Sequence, residues 1–364
     1  MAPAIPGIAV HDLTVAITTS PTPSAPGTDL ISAVLRSFRH HCPDLLACPV
    51  VVVLDTYDDV GDCARLKKGI VTNDGAACYD AYKENVKRLV LDEYRRVPHD
   101  RDDGGGRASE PLIATRGEAE YGSDFGKNFV ELRMTQTADR RVTFIEPAKR
   151  LGFGLAVRSA LRTATTAYTW VQQHDWPLAA DIPLRSILRV MDGDSTERPV
   201  KYVCLPSVRM RSYAVSSHVI KFPALRELTA TLKGDFRASG DDDNEDDDSV
   251  PLTPLFFWHD KPHLAATSHY LERVFSSRLA IQRGGFIEDV IGQRARDQMK
   301  QGKWARWACW LYYPEEGTRL CVRHLQGRTW KGIDGAAKEL QLRLEAAALA
   351  SRPLAFDDSV SLDL

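Results

Sequence analysis

No apolar run in this 364-residue chain approaches the ~18 residues that a membrane-crossing helix needs, so no membrane span is expected. The amino terminus, MAPAIPGIAVHDL, has neither a basic start nor a sustained apolar core, and is not expected to be a signal peptide. The seven cysteines (Cys42, Cys48, Cys63, Cys78, Cys204, Cys309 and Cys321) are odd in number and contain no CxxC pair. That excludes the usual zinc spacing and disfavours a disulfide framework, and reduced thiols in a cytoplasmic setting are expected. Basic excess is missing as well. The formal net charge is −2, and no clustered Lys/Arg stripe appears, so a nucleic-acid partner is not expected. The figure is distorted by one run, DDDNEDDD at residues 241 to 248; without its seven negative charges the chain is mildly basic, a balance that suits a phosphate-bearing small substrate.

With 43% apolar and 26% charged residues, the chain has the balance of a globular protein able to bury a substantial core. Residues 13 to 18 (LTVAIT) read as a buried strand closed by Ser20-Pro21. Leu30, Ile31, Val34, Leu35 and Phe38 then repeat at helical spacing. Residues 49 to 55 (PVVVVLD) are apolar on both faces, the pattern of a central parallel strand. Further strands are predicted at residues 142 to 146, 168 to 172 and 200 to 205, and helices at 80 to 95, 152 to 167, 183 to 190 and 336 to 350. This alternation predicts an open, doubly wound α/β fold. Residues 98 to 127, rich in glycine and charge, read as a surface excursion. The acidic run reads as a solvated insertion, and residues 307 to 325 as a β-hairpin around Pro314-Glu315-Glu316-Gly317.

Four segments carry candidate chemistry, because ligands of open α/β sheets bind beyond the carboxyl ends of the strands. At the end of the first strand stand Thr18 and Ser20; after the second come Asp55 and Asp58, carboxylates suited to a ribose hydroxyl or a base N–H. Gly152 and Gly154 lead into a small-residue helix bearing Arg158. A helix amino terminus offers free N–H groups to a diphosphate, and Lys149, Arg150 and Arg158 would add charge. The fourth segment, Gln173-His174-Asp175-Trp176, ends a strand in a polar triplet whose Asp175 can hold a divalent cation across two phosphates.

In this order the segments resemble family-2 glycosyltransferases of the GT-A fold. The resemblance covers residues 12 to 180 and one later motif, and implies a three-layer α/β sandwich with a central, mostly parallel sheet. It spans a domain over residues 10 to 330, with insertions near 98–127 and 237–250 and a carboxyl-terminal helix and tail at 331–364. The family's D-x-D motif falls on Gln173-His174-Asp175, where only the last position is acidic. That departure leaves three arrangements open: Asp175 alone on Mn2+ or Mg2+, Asp175 aided by His174, or a reaction without metal. The later motif, Phe286-Ile287-Glu288-Asp289, implies Asp289 as the base that deprotonates an acceptor hydroxyl, with Glu288 beside it. The implied reaction is inverting transfer of a hexose or pentose from a nucleoside-diphosphate sugar, with UDP favoured, to a glycan, glycoprotein or small hydroxyl acceptor. Trp176, Trp258, His259 and Asp260 are candidate acceptor contacts, since aromatic faces stack on sugars. The tryptophans of residues 303 to 310 read either as core or as a segment that follows the base. Two rivals remain open. A nucleotidyltransferase is disfavoured because TTSPTPSAPGT holds one glycine and no basic residue. A non-catalytic sugar-binding protein draws on the degenerate triplet.

Overall fold

A computed structural model describes residues 12–96, 111–123, 125, 128–193, 197–237, 249–332 and 341. The acidic run, and nearly all of the expected carboxyl-terminal helix, lie outside these residues.

The strands are β1 (Leu13–Thr19), β2 (Val50–Leu54), β3 (Asp59–Val60), β4 (Ile70–Val71), β5 (Ile113–Glu120), β6 (Phe129–Gln136), β7 (Val142–Pro147), β8 (Tyr168–Gln173), β9 (Tyr202–Cys204), β10 (Gly234–Phe236), β11 (Val250–Pro254), β12 (His263–Ala266) and β13 (Cys309–Tyr312). The helices are α1 (Asp29–His41), α2 (Asp44–Ala47), α3 (Asn73–Arg95), α4 (Phe153–Thr163), α5 (Leu184–Asp192), α6 (Ser217–Ile220), α7 (Pro223–Leu232), α8 (Thr267–Arg273) and α9 (Gln293–Lys300). All strands except β3 and β4 form one sheet in the order β10-β11-β13-β9-β12-β8-β1-β2-β7-β6-β5. Its centre, β8-β1-β2-β7, is parallel, as the two-faced apolar runs of β1 and β2 require. The flanks are antiparallel apart from the β13–β9 pair, so the sheet is mixed rather than mostly parallel.

Helices cover both faces. Val15, Ile17, Val50 and Val52 point to one side, where Ile31, Val34 and Phe38 of α1 and Tyr79, Val86 and Val90 of α3 pack on them. Ala16, Val51 and Val53 point to the other, against Leu155, Ala156 and Ala160 of α4, whose small side chains let the helix lie close. Among the described residues, no helix is long and apolar enough to cross a membrane.

Two sequence expectations are corrected here. The segment 98–127 is not all excursion, because residues 113–120 form strand β5, paired along its length with β6. This strand was hidden because it forms the sheet edge: its residues are mostly exposed, with Arg116, Glu118 and Glu120 among them, so they lack an apolar signature. Residues 307–325 do not form a hairpin. β13 lies between β11 and β9, and Glu315, Glu316 and Gly317 take three successive positive φ angles of 51°, 55° and 76°. The chain turns away there and runs across the sheet's carboxyl edge, where Val322 bridges Leu178. Trp304, Trp307 and Trp310 are buried in the core.

Candidate functional site

Parallel β1, β2 and β8 end at one level, with Thr18 opposite Gln173 and Thr19 opposite Leu54. Beyond their carboxyl ends opens a cleft of about 1050 Å3, large enough for a nucleotide-sized ligand. Thr18, Thr19 and Ser20, then Asp55, Thr56 and Tyr57, then Gln173, His174, Asp175 and Trp176 line it. Three of the four segments singled out in the sequence therefore share one wall.

Asp55 is buried at the β2 end. Its Oδ1 accepts the amides of Leu151 (2.7 Å) and Thr56 (3.0 Å), and its Oδ2 the amide of Gly152 (2.9 Å). Burial raises its carboxyl to about 6, against the pull of those amides. Asp55 thus supplies the anion at the mouth of α4. Gly154 donates its own amide to the Gly285 carbonyl at 3.1 Å. The diphosphate role expected of the Gly152/Gly154 turn is corrected accordingly, because the amides of Leu151, Gly152 and Gly154 already have acceptors. Gly152 lines the cleft at φ +80°, and a Cβ there would lie 2.4 Å from Gly284 Cα. Gly154 packs on Ile281 instead.

Arg158 is also corrected. The cleft side of α4 carries Phe153 and Ala156, and two further residues turn the helix ~200°, so Arg158 points away. It is 1% exposed, and Nη1 and Nη2 have no hydrogen-bond partner; burial depresses its guanidinium to about 10. Asp58 does not line the cleft. It clamps neighbouring loops by pairing with Arg283 and, at 4.0 Å, with Arg150.

Asp175 is buried and engaged. Its Oδ2 accepts the Gly327 amide at 2.9 Å and His324 Nε2 at 3.0 Å. Burial alone would raise its carboxyl, but the His324 bond and the adjacent imidazoles outweigh it and hold the group down at about 2. His174 Nδ1 donates to the Thr18 carbonyl at 3.3 Å, and burial lowers its pKa. Trp176 stacks on His324 with centroids 4.5 Å apart. Among the described residues, no group of three or more His, Cys, Asp and Glu side chains is placed to hold a metal ion.

Beside the β8 end, where Gln173 Nε2 donates to the Asp260 carbonyl at 2.8 Å, Asp260 and Lys261 join the lining, with Phe286, Glu288 and Asp289 from the turn before α9. Asp260 and Glu288 clasp each other: the Glu288 amide donates to Asp260 Oδ1 at 3.2 Å, and the Asp260 amide to Glu288 Oε2 at 3.3 Å. Burial and the Glu288 charge push the Asp260 carboxyl well up, and its Oδ2 has no partner. Glu288 is held at about 2, because His259, 3.3 Å away, and Lys261 outweigh its burial. Asp289 lies beside it, exposed and lining the cleft. His259 is not in the lining; it backs Glu288, and burial lowers it to about 4. Trp258 is a correction. It is fully buried among Tyr202, Tyr270 and Trp307, and cannot meet an acceptor.

Of the basic lining, sequence reasoning had named Arg150 for the diphosphate but missed Lys67, Arg209, Arg323 and Arg328. Lys67, Arg150, Arg209, Lys261, Arg323 and Arg328 all face the cleft, and Lys67, Arg209, Arg323 and Arg328 form no ion pair among the described residues. Three of the cleft-lining residues, Arg323, His324 and Arg328, sit on or just beyond the segment expected to be a hairpin arm. Its Arg-His-x-x-x-Arg spacing is the signal that was available.

No protein-family model matches the chain, and no curated protein matches it. Among solved structures, it is similar to the mannosyltransferase PcManGT from Pyrobaculum calidifontis, solved in complex with GDP-Man and Mn2+. The identity is 14% and the TM-score 0.38, over 84% of this chain and 58% of that one. This chain therefore spans less than two thirds of that protein's length.

Proposed function

We propose that the cleft binds a nucleoside-diphosphate sugar and transfers the sugar to a hydroxyl acceptor with inversion, as a glycosyltransferase of the GT-A type. The observation that carries this reading is the pairing of two chemistries in one cleft. Unpaired cations suited to a diphosphate and the carboxylates of Glu288 and Asp289 line the same cleft at the carboxyl ends of three parallel strands. The ring of Tyr57 and the hydroxyls of Thr18, Ser20 and Thr56 suit the nucleoside, on a floor set by Asp55. Asp289 is the base. It removes the acceptor hydroxyl's proton as that oxygen attacks the anomeric carbon and the bond to the diphosphate breaks. Glu288 is the weaker candidate, since its Oε2 is already taken up by His259 and the Asp260 amide. Trp176 and Asp260 remain on the acceptor side, and UDP is the favoured nucleotide. No step is routed through a metal, because the described residues do not assemble a ligand set for one.

The test is hydrolysis or transfer with UDP- and GDP-sugars, read as release of the free nucleotide. Release from one of them, blocked by excess of its nucleoside diphosphate, supports the reading. Absence of both binding and release for every nucleotide sugar refutes it.

A further inference from the structure

The position expected to hold a cation holds the chain instead. Asp175 Oδ2 takes the Gly327 amide and His324 Nε2, and the Asp175 carbonyl takes the Leu325 amide at 2.8 Å. The same turn covers His174: a Cβ on Gly327 would lie 2.8 Å from His174 Nε2, while Nδ1 is spent on the Thr18 carbonyl. Before the turn, the Cys321 amide bonds the Pro206 carbonyl (2.9 Å) and the Arg323 amide the Pro177 carbonyl (3.1 Å). Residues 321–327 are thus a strap pinned across the ends of the strands, with Asp175 its central anchor. The strap delivers positive charge. Arg323 and Arg328 line the cleft without an ion pair among the described residues, and Arg150 lines it from the loop before α4.

We infer that the diphosphate of the donor is held by Arg323 and Arg328 of this strap together with Arg150, rather than by a protein-bound divalent cation, and that Asp175 is a positioning residue that fixes the strap. The inference rests on the transferase reading above. Two guanidinium forks match the geometry of paired phosphates, and neutralise the charge that the leaving nucleoside diphosphate gains, which is the task a metal would otherwise perform. The Asp175 carboxylate acts through Gly327 and His324, while Leu325 is held by the Asp175 main-chain carbonyl.

The experiment is calorimetric titration of the full chain with UDP and GDP, in EDTA and again with Mn2+. A nucleoside diphosphate binds in EDTA, and Mn2+ changes its Kd less than about threefold. Arg323→Ala and Arg328→Ala each weaken binding about tenfold, the worth of one charge-assisted contact. The corresponding monophosphates lose less. Both arginines are exposed, so these variants fold. Asp175→Asn weakens binding in EDTA by a similar factor. Combined with Arg328→Ala it adds less than about twofold, because both substitutions remove the same contact. Binding that appears only with Mn2+, and that Asp175→Asn abolishes while the arginine variants retain it, overturns the inference and leaves the transferase reading standing. No binding of either nucleotide under either condition overturns both.

Discussion

Gly152→Ala tests whether the turn between Asp55 and α4 is as tightly determined as the geometry says. Gly152 sits at φ 80°, ψ 164°, a region open essentially to glycine, where another residue costs ~1–3 kcal/mol. Steric cost comes on top. The new Cβ would lie 2.4, 2.6 and 2.8 Å from the Cα, C and N of Gly284, backbone atoms that cannot rotate aside. Overpacking of that kind costs a further ~1–3 kcal/mol. The expected loss is therefore about 4 kcal/mol, a large part of the ~5–15 kcal/mol that holds a domain together. Gly302→Ala separates the two contributions, since Gly302 has φ +78° but nothing within 4 Å of the place a Cβ would take. It should cost only ~1–2 kcal/mol, the backbone penalty alone. Urea unfolding midpoints followed by tryptophan fluorescence measure both. Because Gly284 leads into the turn that carries Glu288 and Asp289, Gly152→Ala should also weaken nucleotide binding at a temperature where it remains folded. Equal midpoint shifts for the two variants would refute the close backbone contact between residues 152 and 284.

Asp289→Asn is expected to lower kcat by ~10²–10⁴-fold with donor Kd nearly unchanged; if only Glu288→Gln does so, the base is Glu288, and if neither does, it lies elsewhere. Trp258→Ala should destabilise the fold by about 3–5 kcal/mol, as truncation of a fully buried tryptophan does; a shift below about 1 kcal/mol in thermal or chemical unfolding would show that the ring is not core. Asp55 provides a pH test. Its folded pKa of about 6 lies above the ordinary 3.8, so the native state binds the proton more tightly than the unfolded chain. Its contribution is therefore fully present below pH ~4 and is lost as pH rises through ~6, a change of up to about 3 kcal/mol. The stability of the parent relative to Asp55→Asn should fall across that window and level off above it; a difference that rises with pH would mean that the amides of Leu151, Gly152 and Thr56 outweigh burial.

The central architecture was legible in the residues themselves. A strand buried on both faces must be apolar throughout, so β1 and β2 declare themselves, and Asp55 follows because a carboxylate at the end of such a run is conspicuous. Thr18, Ser20 and Asp175 followed from the rule that places ligands at the carboxyl ends of strands. What a linear pattern could not settle was which face each residue turns and which distant residue it meets. Arg158 and Ala156 sit on one helix two residues apart, yet only Ala156 reaches the cleft, because the orientation of α4 is set by its packing on Ala16, Val51 and Val53. Trp258 and Trp176 look alike as aromatic residues beside histidine or aspartate; one is enclosed by Tyr202 and Tyr270, and the other opens to the cleft. Asp175 shows the limit most plainly. Its partners His324 and Gly327 lie 149 and 152 residues downstream. Periodicity reports the burial of a residue within its own element, whereas a hydrogen bond across that separation exists only once three successive left-handed residues have turned the chain back over the sheet.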